Sequence, residues 1–321
     1  MMNRAHKNSK KFLFYLRSYF YCLMPSFIWS GLFFKDLKVF CQKESSKYIE
    51  FRVSYYNSIV NDFTPSSAAV TNNKFKRDGE ISSYFFDMKP LVNGFPEGLR
   101  FDYIFGDVRG VPDCPAFVKS RPICTDNSNS VLLKLNSVRH YYFYPDKFDY
   151  DEKKPYLVWR GASHQPHRKF FVENFYNHPM CNVGDVHKKS LGEPWHKDVM
   201  SIKEQLKYKF ILSIEGNEVA TNLKWIMASN SLCFMTKPKF ETWFMEGTLQ
   251  AGVHYVELKD DYSDLEAKIT YYREHPEEAK RIIGHANAYV AQFMDEKRER
   301  LIGLLVMRKY FEKSGQLPPL L

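Results

Sequence analysis

Apolar and polar positions alternate in clear blocks over the second half of the chain. The runs "KFILSI" (Lys209 to Ile214), "SLCFM" (Ser231 to Met235) and "HYVEL" (His254 to Leu258) are short, apolar and bounded by polar or small residues, so they read as buried strands. Between them the pattern changes to helical spacing, over Asn222 to Ala228, then Ser263 to Glu274 and Pro276 to Phe293. Upstream, "YLVWRG" (Tyr156 to Gly161) reads as another strand, followed by a turn and a helix that begins near Pro166. Strands alternating with helices predict an α/β fold with a parallel sheet and crossover helices. "SDLE" (Ser263 to Glu266) carries a capping-box signature that predicts the start of the penultimate helix.

The first half is less regular. "YIEFRVSYYNS" (Tyr48 to Ser58) fits helix or strand by period, and "TPSSAAVTNNKFKRDGE" (Thr64 to Glu80) is a loop by composition. An apolar strand over Tyr103 to Phe105 breaks at Gly106 and Asp107, and "SVLLKLNSVRHYYF" (Ser130 to Phe143) again reads as buried strand. The polar, Pro-bounded stretch "YPDKFDYDEKKP" (Tyr144 to Pro155) marks a boundary between two domains. The expected division is an N-terminal segment over 1–47, a domain over 48–150, a second over 151–295, and an amphipathic helix over 296–321.

Composition narrows the function classes. At 321 residues, with 44% hydrophobic and 26% charged residues, the chain suits two ordinary domains or one large one. Its six cysteines form no C-x-x-C pair and no Cys/His cluster at metal-ligand spacing, which argues against a disulfide framework and a zinc site. The net charge of +9 is concentrated at the front, where Arg4, Lys7, Lys10, Lys11 and Arg17 precede any acid. The aromatic run Phe12 to Phe34 carries Arg17 inside it and Pro25 in its middle, a poor match for a spanning helix, and no A-x-A site follows it as a secretory signal requires. Two readings stand: an interfacial segment on an anionic membrane, or a helix packed within the protein. No RRM, KH, zinc-finger or helix-turn-helix signature is present, and no nucleic-acid partner is expected.

Three loops at predicted strand ends carry candidate chemistry: Gly106-Asp107, "WRGASHQPHR" and "EGNEVATN". In a doubly wound sheet ligands bind beyond the carboxyl ends of the strands. Arg160 and Arg168 flank a turn of small residues, Gly161, Ala162 and Ser163, with a helix N-terminus behind it, a pattern suited to a diphosphate; the alternative is an ion pair for Arg160 and a solvated helix face for Arg168. "EGNEVATN" has one glycine and matches neither the P-loop nor the dinucleotide fingerprint. His164 and His167, three apart, lack a third metal ligand nearby.

Taken together, "YLVWRGASHQPHRKF", "KYKFILSIEGNEVATNLKWIMASNSLCFM", "HYVELKDDYSDLEAKI" and "AQFMDEKRERLIGLLVMRKYF" resemble glycosyltransferase family 90. That family includes lipopolysaccharide core transferases of the LpsA type, fungal capsule proteins and animal protein O-glucosyltransferases. The resemblance spans about Tyr48 to Phe311. It implies a GT-B arrangement of two Rossmann-like domains, a UDP-sugar donor and a metal-independent inverting transfer. It assigns donor binding to Arg160, Ser163 and Arg168 in the first motif and to Glu215, Gly216, Asn217, Glu218, Val219, Ala220, Thr221 and Asn222 in the second. Many members have an arginine where this chain has Asn222; Lys224 is assigned to donor binding as the cation that compensates, although a helical step of two turns it about 200° from Asn222.

The same resemblance places the general base at Asp107, with Asp113 as the alternative. A turn or N-cap aspartate is the structural reading of Asp107. Glu215, Glu218 and Glu241 are candidates for sugar hydroxyls, and Lys119, Arg121 and Lys134 for an anionic acceptor. The implied reaction moves glucose or galactose from a UDP-sugar to the lipooligosaccharide core at the inner face of the bacterial inner membrane, in the cytoplasm. A capsular or protein acceptor, or a non-catalytic sugar-nucleotide binder, is the alternative.

Overall fold

A computed structural model describes residues 2–23, 46–77 and 82–319. The part of the aromatic run beyond residue 23 and the end of the predicted loop at 78–80 lie outside the described residues. The strands are β1 (Val70–Thr71), β2 (Arg100–Phe101), β3 (Tyr103–Ile104), β4 (Ala116–Val118), β5 (Ser120–Pro122), β6 (Ser130–Leu132), β7 (Lys154–Gly161), β8 (Cys181–Asp185), β9 (Tyr208–Leu212), β10 (Leu232–Thr236), β11 (Phe240–Thr242) and β12 (Val256–Leu258). The helices are α1 (Met2–Leu23), α2 (Ser46–Tyr56), α3 (Ser82–Val92), α4 (Ser137–His140), α5 (Pro166–Phe175), α6 (Ile202–Gln205), α7 (Leu223–Met227), α8 (Leu265–Glu274), α9 (Pro276–Ala291) and α10 (Glu296–Lys313). The chain is a mixed α/β protein with parallel sheets.

It divides into two compact units. One comprises Met1–His6, His140–Lys239 and Glu246–Phe293; the other comprises Lys7–Arg139, Phe240–Met245 and Met294–Leu321.

The first unit is built on a five-stranded sheet in the order β12-β10-β9-β7-β8, with every pair parallel. Phe210, Ile211, Leu212, Leu232 and Phe234 are wholly enclosed because helices cover both faces of such a sheet, which explains their continuous apolar runs. Trp159, Phe171, Val183, Leu265, Ile269 and Ile282 join the same core. The chain leaves β7 toward β8 on one side and then returns through β9 to β10 on the other. The winding direction therefore reverses between β7 and β9, which makes the loops after these two neighbouring strands the topological switch point.

The "SDLE" cap does not form as expected. Helix α8 begins at Leu265 with Asp264 at its N-cap and no side-chain capping bond; Asp264 Oδ1 instead accepts from the N–H of Lys259. The helix starts one residue later than a box capped by Ser263 requires, and the Ser263 N–H bonds Asp261 instead.

In the second unit β3, β4 and β6 form a parallel sheet, while β1 pairs with β2 and β5 with β11 in antiparallel ribbons. The predicted strand Ser130 to Phe143 is shorter than expected: β6 ends at Leu132, and α4 follows within the same apolar stretch. Asp87 of α3 accepts from both the backbone N–H and the hydroxyl of Ser137, which fixes the start of α4. The ambiguous Tyr48 to Ser58 stretch is helical, as α2.

Helix α10 buries Ile302, Val306, Met307, Tyr310 and Phe311 and packs on α2 and α3. The side chain of Trp243, reached after β11, stacks on Tyr56 with ring centroids 3.8 Å apart. Its Nε1 donates to Glu299, which also accepts from Arg52 at 3.1 Å. Four of the cysteines, Cys114, Cys124, Cys181 and Cys233, are free thiols.

Candidate functional site

Strand β7 delivers the first motif. Trp159 points into the core, Arg160 to the opposite face, and Gly161 ends the strand where a Cβ would stand 2.7 Å from a Trp159 ring carbon. Only glycine fits against that ring. The chain then turns through Ala162 to Gln165, and Pro166 occupies the first turn of α5, where its missing N–H costs nothing.

Asp185, at the end of β8, holds this turn. It accepts from the Ser163 N–H at 3.3 Å and the Ser163 hydroxyl at 2.5 Å, and from the N–H of His187 at 2.7 Å. Against the upward push of burial, these donors and the Ser190 hydroxyl keep the Asp185 carboxyl below the usual carboxylate range. Ser163 is thus fixed by a partner that sequence reasoning missed. The strand "CNVGD" contains one large apolar residue, Val183, so its pattern gave no signal.

Arg168 connects this turn to the second motif. Its Nε donates to the carbonyl of Glu215 at 2.8 Å, Nη2 to that of Ile214 at 2.7 Å and Nη1 to that of Ala162 at 3.2 Å. Carbonyl partners orient the guanidinium without cancelling its charge. His167 also reaches the Glu215 carbonyl, at 2.8 Å. Gln165, nine-tenths buried, donates to Asn217 Oδ1 at 3.2 Å while its own carboxamide oxygen is unbonded. This residue was not singled out in the sequence, although its place before Pro166 marks it as the helix cap. The structure therefore brings Ser163, Arg168, Glu215, Gly216 and Asn217 together at the ends of adjacent strands.

Arg160 lies on the sheet face. Its guanidinium donates to the Asn182 carbonyl at 2.7 Å and the Asn182 side chain at 2.6 Å, while Nε is buried and unbonded. Burial lowers its pKa from the ordinary arginine value, and its charge lowers that of Lys197, which desolvation already depresses.

In the rest of the second motif, Glu218, Val219 and Ala220 are buried and Thr221 is half-buried. Asn222 turns back toward β9, donating to the Leu212 carbonyl at 3.1 Å and accepting from Ser213 at 3.3 Å. Lys224 is fully enclosed and paired with Glu246 at 2.6 Å, so its contacts make it part of the core beneath the loop. Glu215 Oε1 accepts from the N–H of Lys239 at 3.0 Å.

In the second unit, Gly106 takes φ +106°, a conformation that suits glycine, in the turn after β3 that carries Asp107. Asp107 accepts from Lys119 at 2.9 Å; the Lys119 side chain is 3% exposed and that of Asp107 36%. Asp113 lies exposed in the following loop. Arg121 and Glu241 form a buried pair at 2.8 Å across the β5–β11 ribbon, to which the Tyr55 hydroxyl also donates, so both are interior to this unit. Lys134 is half-buried, and burial lowers the pKa of its ammonium. No group of three His, Cys, Asp or Glu side chains that could hold a metal ion occurs among the described residues.

Comparison with known proteins fits this geometry. The family described as Glycosyl transferase family 90 matches residues 138–310. O-glucosyltransferase LpsA of Dichelobacter nodosus is 48% identical over 97% of this chain and 98% of its own. Protein O-glucosyltransferase 2 of Danio rerio is 35% identical over 30% of this chain and 19% of its own, and Protein O-glucosyltransferase 3 of Homo sapiens is 27% identical over 41% and 25%. With that family match over more than half its length and a near full-length relative, the chain is a glycosyltransferase belonging to family 90.

Proposed function

We propose that the protein transfers a hexose, glucose or galactose, from a UDP-sugar to the lipooligosaccharide core, with inversion, without a metal ion, and within a GT-B arrangement. The observation that carries this reading is the pair of loops after β7 and β9, joined by Arg168 at the switch point of a parallel sheet. The N-terminus of α5 and the arginine charges of Arg168 and Arg160 would meet the diphosphate in place of a cation. Gln165 and the loop from Glu215 to Asn222 would surround the nucleotide and sugar. Glucose as the donor sugar follows the name of the full-length relative.

In the transfer the acceptor oxygen attacks the anomeric carbon, the bond from that carbon to the diphosphate oxygen breaks, and UDP leaves with the electron pair. Asp107 takes the hydroxyl proton as the attack proceeds.

Helix α1 supports a peripheral place on an anionic membrane at the cytoplasmic side. Tyr15 and Tyr19 pack on Phe86, while Phe12, Leu13, Leu16 and Phe20 are all more than half exposed on the neighbouring face of a helix with no acidic residue. No helix among the described residues is long and apolar enough to cross a membrane. The partial matches to protein O-glucosyltransferases favour a protein hydroxyl as the second acceptor class.

The test is mass spectrometry of the lipooligosaccharide from cells carrying the wild type, the Asp107→Asn variant or a deletion. Loss of one hexose in both altered strains supports the reading. An unchanged glycolipid in the deletion strain overturns the acceptor, and loss in the deletion strain alone moves the base to Asp113.

A further inference from the structure

Lys119 was read in the sequence as a cation for an anionic acceptor, yet its ammonium points at a carboxylate of its own unit. It sits between β4 and β5, with a side chain only 3% exposed and Nζ 2.9 Å from Asp107 Oδ1. The Tyr84 ring of α3 lies 5.8 Å from the same ammonium, an aromatic face that favours the charged form. The next residue, Ser120, donates to the Val108 carbonyl at 3.5 Å, so the strand that carries Lys119 also holds the loop that carries Asp107.

We propose that Lys119 is the positioning residue of this transferase: it fixes the rotamer of Asp107 and keeps its carboxylate ionised until the acceptor hydroxyl arrives. This rests on the reading of Asp107 as the base. The asymmetry of exposure is the physical reason. A buried ammonium cannot swing to water and its attraction is weakly screened, whereas the carboxylate it holds is more than one-third exposed and can meet a substrate. An ammonium at this distance favours the charged carboxylate. The cost is a weaker base; the gain is a carboxylate aimed in one direction.

The experiment measures transfer from UDP-glucose to lipooligosaccharide extracted from the deletion strain, as kcat and kcat/KM against pH. It compares the wild type with Lys119→Met, Lys119→Arg and Asp107→Asn, each checked by thermal melting. Lys119→Met is expected to lower kcat on the order of 10-fold to 100-fold and to move the acid limb of kcat/KM up by about one pH unit. Lys119→Arg is expected to restore the limb, and UDP affinity is expected to stay at the wild-type value in all three.

A folded Lys119→Met enzyme whose acid limb stays in place overturns the proposal while leaving Asp107 as base, provided Asp107→Asn is inactive. An active Asp107→Asn enzyme overturns both. Should Lys119→Met fail to fold, carbon-13 NMR titration of Asp107 in the wild-type chain decides: a carboxyl titrating at or above the ordinary aspartate value overturns the proposal, and one below it supports it.

Discussion

Arg168 and Glu215 lie 47 residues apart, and the guanidinium of the first holds the backbone carbonyl of the second at 2.8 Å. Since the same side chain also bonds Ile214 and Ala162, it joins the loops after β7 and β9 at the point where the sheet changes direction. Replacing it with lysine keeps a charge but loses the planar fork. Arg168→Lys is expected to weaken UDP binding by about tenfold or more and to lower stability on the order of 1 to 2 kcal/mol, measured by calorimetry and urea unfolding. Unchanged UDP affinity would remove Arg168 from the donor site.

Lys224 and Glu246 form a fully enclosed ion pair at 2.6 Å. Removing one partner strands a charge in the core, so Lys224→Met and Glu246→Gln are each expected to destabilise by about 3 to 5 kcal/mol. The double replacement by apolar residues of similar volume is expected to recover much of that loss, as urea unfolding would show. If Lys224 acts only as a core residue, the double variant binds UDP as the wild type does. A large loss of affinity in a stable double variant would return Lys224 to the diphosphate.

Burial pushes the Asp87 carboxyl up to about 7, against the donors supplied by Ser137 and the charge of Lys134. The unfolded chain titrates this group near 4. Its folded pKa is the higher of the two, so its contribution to stability is complete below pH 4 and is lost as pH rises through 7. The wild type is therefore expected to lose stability between about pH 4 and pH 7 relative to Asp87→Asn, which cannot ionise. Parallel melting curves of the two proteins across that range would contradict the shift.

The exposed face of α1 makes a further measurable demand. Co-sedimentation with vesicles containing phosphatidylglycerol is expected for the wild type and is expected to fall several-fold in Phe12→Ser/Phe20→Ser, and also at high salt or with neutral vesicles. Equal binding by the double variant would show that this face does not meet lipid.

Much of the first unit was legible because its signals are local. "KFILSI", "SLCFM" and "HYVEL" are apolar enough to be buried on both faces, and β9, β10 and β12 fall on them, with β9 starting one residue earlier at Tyr208 and β10 running one residue further to Thr236. Pro166 and Pro276 stand at the first helical positions that their fixed φ favours. β8 was hidden because a single large apolar residue, Val183, carries no period, and its burial comes from the neighbouring strand and helix.

What the sequence determined by itself was the α/β alternation, the two motif loops at strand ends and the family they belong to. The tertiary structure decided which charges face inward. Arg121, Glu241 and Lys224 read as ligand-binding residues in the sequence, yet Arg121 pairs with Glu241 and Lys224 with Glu246 in the interior. The physical reason is that a buried charge is tolerable only beside its counter-charge, and the partner is chosen by strands and loops distant in the chain. The same long-range choice set Asp185 under Ser163. Local propensity names the elements; the pairing of polar groups within each unit depends on how those elements pack.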